Sequence, residues 1–222
     1  MPTTCYEQVL AHGTTELKFV YTNDSVMVPS FLFYFHERLQ EEEENENFME
    51  LDLEYTANQQ GVVVIQLCFK RHVMVFQWAS SDKHYPELMD FLRSGIHFAT
   101  VDIRNDKLKM RHNFGIEIPA DCHIDIQDKF KLEHERTLMA HMAVALIDED
   151  YADMNTKFPR AYFQLKSGRG PHLTVSTLSM QQKMHTYVSY ELYCMIRIMN
   201  YGQCHLAPAP APRVWGLFDS NE

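Results

Sequence analysis

The stretch Phe48–Tyr55, Phe-Met-Glu-Leu-Asp-Leu-Glu-Tyr, alternates apolar and acidic side chains. A strand has a side-chain period of two, so Met49, Leu51 and Leu53 share one face while Glu50, Asp52 and Glu54 share the other. Gln60-Gly61 marks a turn, and Val62–Phe69 is a second, strongly β-branched run. Lys70-Arg71-His72 reverses the chain into a third run, Val73–Trp78. The chain is therefore expected to be built on a three-strand antiparallel meander whose first strand carries Asp52 and Glu54 on one side. Two carboxylates beside apolar neighbours are costly to bury unless a cation sits with them. Taken alone, Asp-x-Glu is common, and a solvated strand face is its plainer account.

The remaining elements surround this meander. Residues 15–21 read as a strand. Asp24-Ser25 is placed to cap a helix from Val28 to Gln40, with Pro29 in its first turn. Tyr85–Ser94 reads as a short helix ending at Gly95, Phe98–Ile103 as a strand, and Asn105–Asn113 as a helix stopped by Gly115. His123–Ile126 suits a short strand and Arg136–Ile147 an apolar helix. Residues 148–174 show no regular period, and Thr177–Asn200 reads as the longest helix. The expected organisation is one domain over residues 1–204, followed by a Pro/Ala-rich tail, 205–222, that should be extended. A meander followed by alternating helices and strands points to an α/β fold, a mixed central sheet covered by helices on both faces, of the ribonuclease-H-like kind.

Composition narrows the function classes. With 222 residues, 45% of them apolar, a full core is within reach and disorder throughout is excluded. No run of about 18 apolar residues offers a membrane span. Met1-Pro2-Thr3-Thr4 does not begin a secretory signal, so the chain is expected inside the cell, in cytoplasm or nucleus. The 5 cysteines are scattered and none forms Cys-x-x-Cys, which fits reduced thiols rather than a disulfide frame or a zinc site. Cys122-His123 with His134 and His141 likewise lacks zinc-ligand spacing. The net charge of −10 argues against a general nucleic-acid coat. Half of that excess lies in one run, Glu41-Glu42-Glu43-Glu44-Asn45-Glu46, expected to be a solvated loop.

One further carboxylate stands out. Asp106 opens the helix that follows the strand Phe98–Ile103, where the helix dipole favours negative charge. Capping alone accounts for it, without a metal. Yet Asp-x-Glu on one strand, with an Asp at a later strand-to-helix junction, is a recurring way to hold two divalent cations.

At this point the sequence resembles the DEDD-type (DnaQ-like) 3′–5′ exonuclease domains, most of all the small Werner-type exonucleases of plants. The matching pieces are Leu51-Asp52-Leu53-Glu54-Tyr55, Val63–Phe69 with Val73–Gln77, Phe98 through Asp106 to Gly115, and Thr186–Tyr193. They cover roughly residues 15–200 in the right order, which is more specific than any single motif.

The resemblance implies a two-metal phosphodiester hydrolase, in which carboxylates hold Mg²⁺ or Mn²⁺ ions about 3.5–4 Å apart. It implies Asp52, Glu54 and Asp106 as metal ligands. It departs from the family pattern in the last motif, where His185 stands in place of the expected Asp and Gln181 in place of the water-orienting Tyr. A neutral His185 would favour Mn²⁺ over Mg²⁺, an imidazolium would repel both, and a plain helix residue would do neither. Asp102 is either a partial replacement or turned away by the strand direction, and Glu191 is poorly placed to substitute.

Three functions follow from the resemblance. The favoured one is a nucleic-acid-binding exonuclease-like domain with an incomplete catalytic site, weakly active or inactive, whose partner is the 3′ end of single-stranded RNA or DNA. The second is a working 3′–5′ exonuclease with an altered metal site. The third is a protein-interaction or subunit scaffold, binding a protein partner or forming a homo-oligomer. None involves a membrane.

Overall fold

The computed structural model describes residues 3–11, 15–43, 47–55, 61–78, 81, 85–129, 138–153 and 187–195. The elements in chain order are β1 (Thr4–Ala11), β2 (Thr15–Thr22), α1 (Val28–Gln40), β3 (Phe48–Tyr55), β4 (Val62–Phe69), β5 (His72–Phe76), α2 (Pro86–Arg93) and β6 (His97–Thr100). They continue with α3 (Ile103–Phe114), β7 (His123–Asp125), α4 (Ile126–Lys129), α5 (Met139–Leu146) and a 3-10 turn, Glu149–Asp153. Residues 187–195 are helical and are called α6.

The strands form one 7-stranded mixed sheet in the order β1-β2-β5-β4-β3-β6-β7. The meander pairs antiparallel, with Leu51 opposite Leu67 and Leu67 opposite Met74. β6 then joins β3 in parallel and β7 joins β6 in parallel. This is the expected α/β arrangement, an antiparallel meander followed by parallel strands. On the other side β2 adds in parallel to β5. The outer strand β1, which the sequence pattern did not announce, pairs antiparallel with β2 and forms the edge.

The alternation along β3 divides the sheet into two chemically different faces. Leu51, fully buried, and its neighbours Met49 and Leu53 lie on one face with Ile65, Leu67, Met74 and Phe76. A fully buried Leu or Phe on such a surface contributes about 1.5–3 kcal/mol relative to exposure. The other face of β3 carries Phe48, Glu50, Asp52 and Glu54, and α6 covers its beginning. Tyr190 stacks on Phe48 with ring centroids 5.0 Å apart, and Tyr193 meets the same ring edge-on at 4.6 Å.

Local chemistry sets the helix ends. Pro29 occupies the first turn of α1, where its missing N–H is harmless. Asp24 does not cap α1; its Oδ1 instead accepts the Val26 N–H at 3.1 Å, an Asx turn that leads the chain in. α3 stops where Gly115 takes φ 63, with the Gly115 N–H donating to the Arg111 carbonyl and the Ile116 N–H to that of Met110. Ile116 and Met110 are both buried, so this left-handed stop also closes an apolar contact. At the start of the acidic run, Glu41 pairs with Arg38 at 2.6 Å and Glu42 pairs with Lys70, so part of that run is tied down rather than simply solvated. Among the described residues no helix is long and apolar enough to cross a membrane.

Candidate metal and nucleic-acid site

Because β3, β6 and β7 run parallel, their C-terminal ends meet along one edge of the sheet. In open α/β sheets ligands bind outside such ends. Here that edge is acidic. Asp52 and Glu54 lie in the C-terminal half of β3, and both are half-buried. Asp106 lies in the first turn of α3, directly after β6, and is 5% exposed. Asp125 ends β7, and its Oδ1 accepts the Gln127 N–H at 2.9 Å.

The electrostatics show that these groups act on one another. The Asp106 carboxyl is pushed well above the usual carboxylate range, first by burial and then by the charges of Asp52, Glu54 and Asp125. Gln66, opposite Asp52 on β4, donates Nε2 to Asp52 Oδ2 at 3.0 Å.

Glu50 is the unexpected member. It is on the same face as Asp52, yet only 1% exposed. Burial, then the charges of Asp52 and Asp106, drive its carboxyl up, while a hydrogen bond from Ser189 on α6 works against the rise. The account of this strand face as solvated therefore fails at Glu50, because α6 closes over it.

Asp102 takes a left-handed conformation, φ 59 and ψ 58, which is costly for a residue with a Cβ. Its carboxylate is held by Arg104 in a two-pronged pair, Nε to Oδ1 at 2.9 Å and Nη2 to Oδ2 at 3.3 Å. Glu191 on α6 accepts a hydrogen bond from Tyr187, and burial raises its pKa. Gln181 and His185 lie outside the described residues.

Oxygen donors of one sign, partly buried and mutually repelling, fit a hard divalent cation such as Mg²⁺ or Mn²⁺ in charge and donor type. Among the described residues, however, no three His, Cys, Asp or Glu side chains stand close enough together to hold one ion as they are. Sequence reasoning named Asp52, Glu54 and Asp106 but missed Glu50 and Asp125. The strand parity that grouped Glu50 with Asp52 was legible. So was an acidic residue within His123–Ile126, though so short a strand gave little reason to weigh it.

The architecture has counterparts among solved structures. The catalytic core of RRP6 from Trypanosoma brucei superposes with a TM-score of 0.53 at 11% identity, covering 89% of this chain and 51% of that one. RNase D from Trypanosoma brucei, in complex with GMP, gives 0.50 at 15% identity, covering 83% of this chain and 56% of that one. This chain thus spans about half the length of those two proteins. The exonuclease domain of EXD2, soaked in Mn and GMP, is matched over 90% of its length with a TM-score of 0.43 and 14% identity. No protein-family model matches the chain, and no curated protein matches it in sequence. The fold is shared with the catalytic core of RRP6 and with RNase D.

Proposed function

We propose that this chain is a nucleic-acid-binding domain of the 3′–5′ exonuclease kind whose metal site is incomplete. It would receive the 3′ end of single-stranded RNA or DNA and hydrolyse it weakly or not at all. The observation that carries this reading is the acidic edge itself: Asp106, buried at the start of α3, feels the charges of Asp52 and Glu54 from a strand more than fifty residues earlier. An arrangement serving only to cap α3 has no need of that company.

Within this reading Asp52, Glu54 and Asp106 are the residues that would hold Mg²⁺ or Mn²⁺. When bound, such a cation supplies charge neutralisation at the phosphodiester and acidifies a water. Gln66 fixes the orientation of Asp52 through its 3.0 Å hydrogen bond, and Arg104 keeps the Asp102 carboxylate engaged. The incompleteness rests on the last motif, where His185 and Gln181 stand in place of a carboxylate and a phenol. Without the carboxylate the cation charge is less well balanced, and without the phenol the attacking water is less well oriented.

The test is binding of a fluorescent single-stranded oligonucleotide with a free 3′ hydroxyl, by anisotropy, in Mg²⁺ or Mn²⁺. The wild type should bind in a metal-dependent way, and Asp52→Asn should weaken binding. Equal affinity for a 3′-phosphorylated oligonucleotide, or no effect of Asp52→Asn, would refute an end-binding site here. A second reading, a competent exonuclease with an altered metal site, is favoured by the additional carboxylates Glu50 and Asp125 beside the expected ones.

A further inference from the structure

A cavity of about 430 Å³ opens between α1 and the part of the sheet formed by β2 and β5. Its floor carries Lys18 on β2 and His72 on β5, which stand opposite one another. Its walls are rings, Phe31 and Tyr34 from α1 and Tyr6 from the edge strand β1. Register places it away from the acidic edge. Tyr6 stands opposite Val20, Val20 opposite Met74, Met74 opposite Leu67, and Leu67 opposite Leu51. These residues therefore share the face of Leu51, not that of Asp52. Lys18 and His72 precede Val20 and Met74 by two residues and lie on the same face. β4 is antiparallel to both β3 and β5, so β5 runs with β3. His72, the first residue of β5, is thus at the end of the sheet opposite to Asp52 and Glu54.

The lining is unlike the rest of the chain. The sequence has 30 Asp and Glu against 20 Lys and Arg, yet none of the described residues lining the cavity is acidic. Lys18 makes no ion pair with any described residue, whereas Arg38, which lies over the Tyr34 ring, is engaged by Glu41. Burial, then the charges of Lys18 and Arg38, lowers the His72 pKa, so its imidazole is neutral near pH 7. The Tyr34 hydroxyl lies 3.2 Å from His72 Nε2 and 3.3 Å from Nδ1. It can bond one nitrogen at a time, so the other remains a polar group of the cavity floor. The Tyr6 and Phe31 rings have centroids 6.4 Å apart and are tilted by 56°. A flat ring laid on one meets the other edge-on, which suits aromatic quadrupoles. Tyr6 is 66% exposed, so this wall is open to solvent.

We propose that this cavity binds one nucleotide, its base against the Tyr6 and Phe31 rings and its phosphate at the Lys18 ammonium. Small-molecule sites measure about 300–1,000 Å³ and are mostly apolar with a few placed polar groups, as here. Aromatic faces beside a cation hold a base by its π-face, whatever its sequence context. The unpaired charge of Lys18 favours an anionic ligand over a neutral one. A lining without described carboxylates spares a phosphate the repulsion it meets elsewhere on this acidic chain. The nucleotide is either free or one unit of a single strand. The site stands apart from the acidic edge and needs no metal there.

The test is calorimetric titration of the full chain in EDTA, which keeps divalent cations from the acidic edge. The probes are GMP, guanosine, inorganic phosphate and a single-stranded oligonucleotide phosphorylated at both ends. GMP should bind, guanosine should bind roughly tenfold more weakly for want of the charged contact, and phosphate alone should not bind measurably. Lys18→Met should weaken GMP by roughly tenfold and leave guanosine unchanged, a split that a structural role does not produce. Tyr6→Ala, at an exposed position, should weaken GMP and guanosine alike by roughly tenfold. Tighter binding of GMP than of the oligonucleotide, weakened by Lys18→Met, supports the site with a free nucleotide as its ligand. The reverse order, equally weakened by Lys18→Met, supports it with a nucleotide inside a strand. Absence of GMP binding in EDTA overturns the proposal. So does GMP binding that neither Lys18→Met nor Tyr6→Ala weakens, or an equal loss of GMP and guanosine in Lys18→Met.

Discussion

His123 on β7 offers a quantitative test of how the sheet's parallel end is packed. It is 4% exposed, its Nδ1 has no hydrogen-bond partner, and its Nε2 lies 3.5 Å from Thr100 Oγ1. Burial, aided by the charge of Lys107, lowers its pKa from 6.5 to about 3. The unfolded chain therefore takes up a proton near pH 6.5 that the folded chain refuses until about pH 3. Neutral His123 supports the fold fully above pH 6.5, and that support is lost as the pH falls toward 3. Each pH unit in this window costs about 1.4 kcal/mol, so about 2 kcal/mol is lost by pH 5. Glu50 and Asp106 titrate in the opposite sense, because their raised pKa values favour the folded state as they protonate. The His123 contribution must therefore be read as a difference. In urea unfolding followed by tryptophan fluorescence, wild type and His123→Leu should differ in pH dependence, with the variant gaining about 2 kcal/mol on wild type between pH 8 and pH 5. Identical pH dependence in the two proteins would refute the claim that His123 is buried neutral.

Other substitutions test other links. Leu51→Ala, at a fully buried position on the apolar face of β3, should cost about 2–5 kcal/mol in thermal or urea unfolding. Gly115→Ala meets no atom within 4 Å but must adopt φ 63, so about 1–2 kcal/mol of backbone strain is expected without any clash. Asp106→Asn should raise the melting temperature in chelator. The raised pKa of Asp106 means that its protonated form stabilises the fold fully below about pH 3.8, and that this is lost as the pH rises through the folded value. The advantage of the Asn variant should therefore be largest near neutrality and shrink on acidification.

The parts of the fold legible in the sequence are those where one local rule decides. β3 and β4 obey strand periodicity and β-branching, and α1 starts at a Pro-marked turn; all three occupy the residues their patterns indicate. The Gly115 stop was legible for the same reason, since only glycine takes the left-handed position without strain. β1 was not, because Thr-Cys-Tyr-Glu-Gln-Val-Leu-Ala carries no clean alternation and, as an edge strand, exposes Tyr6 and Leu10. Glu50 shows the sharper limit. Its parity with Asp52 was plain, but its burial depends on α6 packing back from residues 187–195. No local pattern encodes that long-range cover. Asp24 was read as a helix cap and serves a turn instead, since both roles use the same side-chain geometry.

The central claim is that this fold retains the acidic edge of a 3′–5′ exonuclease while lacking the last carboxylate and phenol. Its most direct test is digestion of a 5′-labelled single-stranded oligonucleotide in Mg²⁺, RNA and DNA in parallel, by wild type and by Gln181→Tyr/His185→Asp. Restoring a group that orients and deprotonates the water is worth about 10²–10⁴-fold in rate. The account predicts little or no shortening by wild type and a ladder of 3′-shortened products from the double variant, abolished again by Asp52→Asn. Shortening by wild type at the full rate of a competent nuclease, itself abolished by Asp52→Asn, would contradict it.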